Sequence, residues 1–169
     1  MSGPDSLVEA PELARAFLAR RADTPATCSA LIRHEAIAAV GGFESGFPGL
    51  YEDQTFFFKV CLALPVWVEG EAWDRYRRHP DALCEVKIRA GEHADDYRPT
   101  VPRWQFLRWL ETYFDRAAIT DPALRRDLGR ELWPYRHPTI AGLIERGRPA
   151  ARAVLPVPVR RLVRRFVSR

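Results

Sequence analysis

Cysteine is sparse in this chain, and long apolar runs are missing. The three cysteines, Cys28, Cys61 and Cys84, form no Cys-x-x-Cys pair, so the sequence indicates neither a zinc site nor a disulfide framework. Cys28 and Cys61 lie in apolar segments and are predicted to be small core residues. No run approaches the ~18 to 20 apolar residues of a transmembrane helix, and the acidic start is unlike a secretory signal. We therefore expect a cytoplasmic protein.

Lysine is also scarce, because it occurs only at positions 59 and 87 and arginine supplies almost all of the 26 positive charges. This bias is typical of genomic base composition rather than of recognition chemistry. The basic residues are not interleaved with aromatic residues around the acidic pair at positions 52 and 53, so we expect no nucleic-acid partner.

Charge is distributed unevenly along the chain. Residues 101–169 contain 15 basic and 6 acidic residues, whereas residues 1–100 contain 11 basic and 16 acidic ones. Residues 151–169 form a basic tail whose apolar residues fall on one helical stripe. This pattern predicts either peripheral contact with the anionic inner membrane surface or a terminal helix docked on the domain with its arginines in water.

The chain is 47% hydrophobic. Without the tail, it is still long enough to form one hydrophobic core. Two regions have helical periodicity. The apolar residues of the first are Leu7, Val8, Leu13, Ala14, Phe17 and Leu18; those of the second are Trp104, Leu107, Leu110, Phe114 and Ala117. Asp121-Pro122 is typical of a capped new helix. We divide the chain into a domain over residues 1–100, a helical extension over 101–150 and the tail.

A pair of glycines gives the first functional signal. A helical pattern over residues 33–40 ends at Gly41, which is the usual left-handed helix stop. One glycine is enough for that purpose, yet Gly42 and Phe43 follow and open a loop with further glycines. In this glycine loop, residues 41–50, the backbone can approach a ligand closely.

Two adjacent carboxylates give the second signal. Tyr51 is followed by Glu52 and Asp53, which lead into an apolar segment, residues 54–62, that is predicted to be a buried helix. Acidic residues at such a position can satisfy the free N–H groups of the helix. They can equally meet a substrate or a cation, because buried carboxylates are costly without a partner.

A histidine after two extended segments gives the third signal. Residues 65–69 and 73–76 favour strands, and Arg77, Arg78 and His79 follow them, with a proline next. A histidine before proline lies on extended backbone, which suits a metal ligand or a phosphate contact. The alternative is an ordinary surface histidine.

In this order, the features resemble the acceptor-side half of the family-two glycosyltransferases, which have the GT-A fold. The match covers residues 24–83 and includes a strand over residues 27–33, the helix, the glycine loop, the acidic pair with its helix, a strand and the histidine. The resemblance implies an α/β fold: a partial, Rossmann-like GT-A half with a short mixed sheet, followed by a helical C-terminal region.

The resemblance also implies a site. Asp53 is the implied general base of inverting sugar transfer from a nucleotide-sugar, with Glu52 as its partner. His79 is the implied ligand of Mg²⁺ or Mn²⁺ beside the diphosphate. The implied substrate contacts are Gly41, Gly42, Phe43, Tyr51, Arg77 and Arg78. The implied partners are a nucleotide-sugar donor and a saccharide or lipid-linked acceptor, in cell-wall or polysaccharide biosynthesis.

One part of the family pattern is missing, because residues 1–26 contain no Asp-x-Asp pair. Most cation ligands and the nucleotide pocket of the family belong to that absent half. We therefore expect a truncated chain or a separate polypeptide that supplies the N-terminal half. The alternative is a non-catalytic remnant or binding module with a basic membrane-surface tail.

Overall fold

The computed structural model describes residues 4–77, 79–93, 99–139 and 141. The described chain is mixed α/β and mostly helical. Its elements are β1 (Ser6–Val8), α1 (Glu12–Leu18), a 3₁₀ turn (Thr27–Ser29), α2 (His34–Val40), α3 (Glu52–Ala63), β2 (Val66–Val68), α4 (Leu83–Arg89), α5 (Val101–Arg116) and α6 (Pro122–Arg136). Within these residues, no helix is both long and apolar enough to cross a membrane.

The sheet is small and antiparallel. β1 pairs with β2 so that Leu7 lies opposite Trp67 and Val8 lies opposite Val66. Because side chains alternate across a strand, Val8 is buried while Leu7 and Trp67 are exposed. The predicted short mixed sheet is therefore wrong for the described residues, and a Rossmann-like half is not confirmed.

The helix predicted near the start is shorter than its apolar pattern. It begins at Glu12, after Pro11, and Leu7 and Val8 belong to β1 instead. The residue before a proline avoids the helical region, so a helix cannot run smoothly through Ala10. The pattern was right for the second half of the segment and wrong for the first.

The predicted strand over residues 27–33 is also wrong. The segment contains the 3₁₀ turn, and its extended part around Ala30 has no paired strand in the described chain. Likewise, residues 73–76 form no strand. A β-favouring sequence becomes a strand only where another strand supplies its hydrogen bonds. Cys28 lies in the first of these segments and is exposed, so its predicted core position is wrong.

Helix α3 is the centre of the core, as its apolar sequence predicts. Phe56, Phe57 and Phe58 are all buried, and so is Cys61. Three consecutive buried phenylalanines point to different sides of a helix, so α3 is enclosed by other elements around its circumference. Asp53 lies in the first turn of this helix, so a buried helix holds its backbone in place.

Helices α5 and α6 pack on the same core. The predicted apolar stripe of α5 is confirmed in part: Leu107, Leu110 and Phe114 are buried, whereas Trp104 is exposed and Ala117, also exposed, lies past the end of the helix. Phe58 of α3 contacts Phe106 of α5 with ring centroids 5.6 Å apart. The predicted cap of α6 is confirmed as well, because the Asp121 carboxylate accepts a 2.8 Å hydrogen bond from the Leu124 N–H.

The chain divides into two compact units between Leu132 and Trp133. The first contains the sheet, helices α1 to α5 and most of α6, so residues on both sides of position 100 share one unit. In the second, the rings of Trp133 and His137 lie 5.2 Å apart. The predicted basic tail, residues 151–169, lies outside the described residues.

Candidate functional site

The glycine loop begins with two left-handed glycines. Gly41 ends α2 with φ of 74°, and Gly42 follows with φ of 66°. The predicted helix stop is confirmed. Among the described atoms, none would lie within 4 Å of a Cβ at either position. The backbone at these two residues is therefore open to a ligand, and the glycines are required by their φ angles rather than by crowding.

Two contacts hold the glycine loop on α3. Phe43 stacks on Phe56 with ring centroids 4.4 Å apart, although Phe43 keeps half of its surface exposed. Next to it, the Lys59 ammonium donates a 2.7 Å hydrogen bond to the Glu44 carboxylate. Lys59 is buried, with 2% of its side chain exposed. A stacked ring and a buried ion pair thus fix the start of the loop against the helix.

The end of the loop leads into α3 through Tyr51. This residue is the N-cap of α3 and has a left-handed backbone, with φ of 67° and ψ of 4°. Its carbonyl accepts the first helical hydrogen bond, from the Thr55 N–H at 2.9 Å. The Tyr51 side chain is buried, so it is a structural anchor whose ring is not available to stack on a sugar.

Glu52 and Asp53 occupy the first turn of α3, as predicted. The Asp53 carboxylate accepts a 2.7 Å hydrogen bond from the Gln54 N–H, and no arginine or lysine among the described residues pairs with it. Glu52 differs, because its Oε2 atom is buried without a hydrogen-bond partner in the described chain. A buried carboxylate oxygen in this state carries a desolvation cost of about 1 to 3 kcal/mol or more. The predicted role of these acids in capping the helix does not by itself explain the cost of burying this oxygen.

The Tyr51 ring is enclosed by α5 and by a histidine. It stacks on Phe106 with centroids 4.9 Å apart and meets the His93 ring edge-on at 5.8 Å. Burial raises the pKa of Tyr51, while hydrogen bonds from Arg103 and Thr100 partly oppose this rise. The His93 Nδ1 atom is buried and, within the described chain, has no hydrogen-bond partner.

His79 lies in a separate surface hollow. This hollow has a volume of about 330 Å³ and is lined by His79, Pro80, Glu85 and Arg89. The described lining includes neither Glu52 nor Asp53. The two regions are linked through α4, because Leu83 at its start lies directly over Gly49 of the glycine loop.

The remaining predicted contact residues are only partly described. Arg77 is exposed in an irregular segment, and Arg78 lies outside the described residues. The structure thus brings together Gly41, Gly42, Phe43, Tyr51, Glu52 and Asp53 on one loop and helix start. It does not bring Asp53 and His79 into the same hollow.

The described residues do not offer a metal site of their own. Among them, no three His, Cys, Asp or Glu side chains converge as ligands, and Mg²⁺ needs several oxygen ligands. Mg²⁺ or Mn²⁺ stays a prediction.

Sequence reasoning missed several residues around this site. Lys59 had a usable signal, because it is the one charged residue in the apolar segment 54–62 and such a residue needs a buried partner. The sequence carried no such signal for Arg103, Glu131 and His93, since each reaches the site from a distant helix or loop.

Comparison of the sequence with protein-family models, with curated proteins and with solved structures finds no match. The functional interpretation therefore depends on the residues and their geometry.

Proposed function

We propose that this chain is the acceptor-side half of an inverting, nucleotide-sugar-dependent glycosyltransferase, with Asp53 as the general base. One observation carries the proposal: the open glycine loop is fastened to the helix whose first turn presents Asp53 and a Glu52 oxygen that has no hydrogen-bond partner among the described residues. This combination joins a carboxylate that can take a proton and backbone that a ligand can reach through one helix.

The chemistry required of Asp53 is a proton transfer. An acceptor hydroxyl is a weak nucleophile at neutral pH, so a carboxylate must take its proton as the oxygen attacks the anomeric carbon of the donor. The bond from that carbon to the diphosphate then breaks, and the nucleoside diphosphate leaves with the electron pair. Asp53 suits this role because its described hydrogen bond is a local one, from Gln54, which leaves further lone pairs for the hydroxyl.

Glu52 and the glycines have supporting roles in this proposal. The Oε2 atom of Glu52, which has no hydrogen-bond partner in the described part of the chain, accepts a hydrogen bond from a second acceptor hydroxyl, which removes the cost of its burial. Gly41 and Gly42 let the sugar approach the backbone without a side chain between them. Phe43, half exposed on Phe56, offers an aromatic face to a sugar ring.

The donor half, the cation and the diphosphate contacts through Arg77, Arg78 and His79 stay predictions. The donor half comes either from the same polypeptide or from a neighbouring one. A cytoplasmic location, with or without contact at the membrane surface, also stays a prediction.

The test measures nucleoside diphosphate release by tagged protein purified, with any polypeptide that stays bound, from cells that naturally make it. The donor probes are UDP-glucose, UDP-galactose, GDP-mannose and dTDP-rhamnose with Mg²⁺ or Mn²⁺, and the acceptor probe is a lipid extract of those cells. We expect release from at least one donor, and Asp53→Asn should lower kcat by about 100-fold or more.

The matched control is Glu35→Gln. Glu35 is also a first-turn acid, in α2, and it is exposed, so its loss reproduces the change in helix electrostatics without touching the site. This variant should keep the wild-type rate. Absence of release from every donor, or a normal rate for Asp53→Asn, would overturn the proposal and favour a non-catalytic binding module.

A further inference from the structure

The backbone of Tyr51 decides where the two carboxylates point. A left-handed conformation costs a non-glycine residue about 1 to 2 kcal/mol, and Tyr51 adopts it directly before Glu52 and Asp53. A change to the ordinary extended or helical region at this residue would redirect the chain at the start of α3. Some interaction must therefore hold Tyr51 in place.

The Tyr51 side chain supplies that hold. Only 5% of the residue is exposed. Its ring lies nearly parallel to Phe106, at an interplanar angle of 18°. The side chains of Arg103, three residues before Phe106 on the same helix, and of Thr100 lie close to its phenol and oppose the rise in the pKa of Tyr51. All three partners belong to α5 or its N-cap, so α5 fixes the tyrosine.

Arg103 is in turn held by α6. Its guanidinium donates to the Glu131 carboxylate, and Arg103 is buried. Arg20, at the exit of α1, donates a 2.7 Å hydrogen bond to the same Glu131 oxygen. Burial favours the neutral form of Arg103, but Glu131 and Tyr51 outweigh it and hold the pKa of Arg103 above its ordinary value. The group is thus a permanent cation with a fixed orientation.

We infer that Arg103 is a positioning residue, which orients Glu52 and Asp53 by holding the phenol of Tyr51. The planar fork of arginine can serve Glu131 and Tyr51 at once, whereas a lysine ammonium has neither that shape nor that reach. The effect of Arg103 on catalysis rests on the proposed function, whereas its effect on the orientation of Glu52 and Asp53 does not.

The first measurement needs no activity. Arg103→Lys keeps the charge, so any effect on Glu52 and Asp53, some 50 positions away in the sequence, is geometric. We expect their backbone amide signals in ¹H–¹⁵N NMR spectra to move in Arg103→Lys. They should not move in the matched control Arg108→Lys, on the exposed side of the same helix. Unmoved signals in both variants would overturn the inference.

The second measurement uses the transfer assay. We expect Arg103→Lys to lower kcat about 10- to 100-fold, as small displacements of catalytic groups do, with the donor KM unchanged. In the Asp53→Asn background, Arg103→Lys should cause no further loss. An equal loss in both backgrounds would mean that Arg103 only supports folding.

Tyr51→Phe provides a variant that keeps the Arg103–Glu131 pair. It preserves the ring stack and removes only the phenol oxygen, so it should fold and reproduce the loss of kcat. A wild-type rate for this variant would refute the link through Tyr51. If wild-type protein transfers sugar from none of the donors, the proposed function fails, and the NMR result still decides whether Arg103 positions the two carboxylates.

Discussion

The ion pair between Lys59 and Glu44 makes the attachment of the glycine loop measurable. Lys59 is 2% exposed, whereas the Glu44 side chain is 27% exposed. Glu44→Gln removes the charge that meets the buried ammonium. Breaking a fully buried pair in this way costs about 3 to 5 kcal/mol. Because water reaches the Glu44 side, we expect the free energy of unfolding to fall by about 3 kcal/mol, at the lower end of that range.

Replacing the lysine instead of the glutamate should change the free energy of unfolding much less. Lys59→Met keeps an unbranched apolar stem in the same space and removes the buried charge, and such replacements are often neutral or stabilising. It leaves Glu44 without a partner, but Glu44 is partly in water. We expect a change within about 1 kcal/mol, and Glu44→Gln should cost little more in the Lys59→Met background.

Urea unfolding followed by circular dichroism and tryptophan fluorescence measures these differences. The matched control is the pair of the chain's other lysine, Lys87 with Glu92 at 3.2 Å, in which Glu92 is mostly exposed. Glu92→Gln should cost about 0 to 1 kcal/mol. If Glu44→Gln costs no more than Glu92→Gln, the buried pair does not fasten the loop.

Gly41→Ala should lower the free energy of unfolding by about 1 to 2 kcal/mol because the left-handed backbone is costly for alanine. The control is Gly46→Ala, at a glycine whose surroundings are equally open, and it should lower the free energy of unfolding less. Equal losses in urea unfolding would contradict this reasoning. Cys61 should resist iodoacetamide in the folded protein while the exposed Cys28 and Cys84 react, because burial raises the pKa of Cys61 to about 12 and the thiolate is the reactive form. This shift favours folding below the unfolded thiol pKa of about 8.5, and the benefit is lost as the pH rises towards the folded value. Mass spectrometry of the labelled protein counts the modified thiols, and rapid labelling of Cys61 would show that the helix opens easily.

Local patterns were enough for part of the fold and part of the site. The stop at Gly41, the helix over residues 52–63 and the cap at Asp121 each follow from neighbours within one helical turn. The placement of Glu52 and Asp53 at a helix start was predicted for the same reason. Strands were less predictable, since residues 27–33 have a strand-like sequence but no described partner strand.

The sequence by itself determined the local order of the candidate site: two glycines, an aromatic residue and two carboxylates at the start of an apolar helix. Only the tertiary structure decided how these residues are held. Arg103 reaches Tyr51 from α5, and Glu131 reaches Arg103 from α6. Helical periodicity indicates which residues of a helix face the core, but it does not indicate which distant side chain each of them contacts. Hydrogen bonds and ion pairs across the core depend on the packing of whole helices, and that packing forms only when the chain folds.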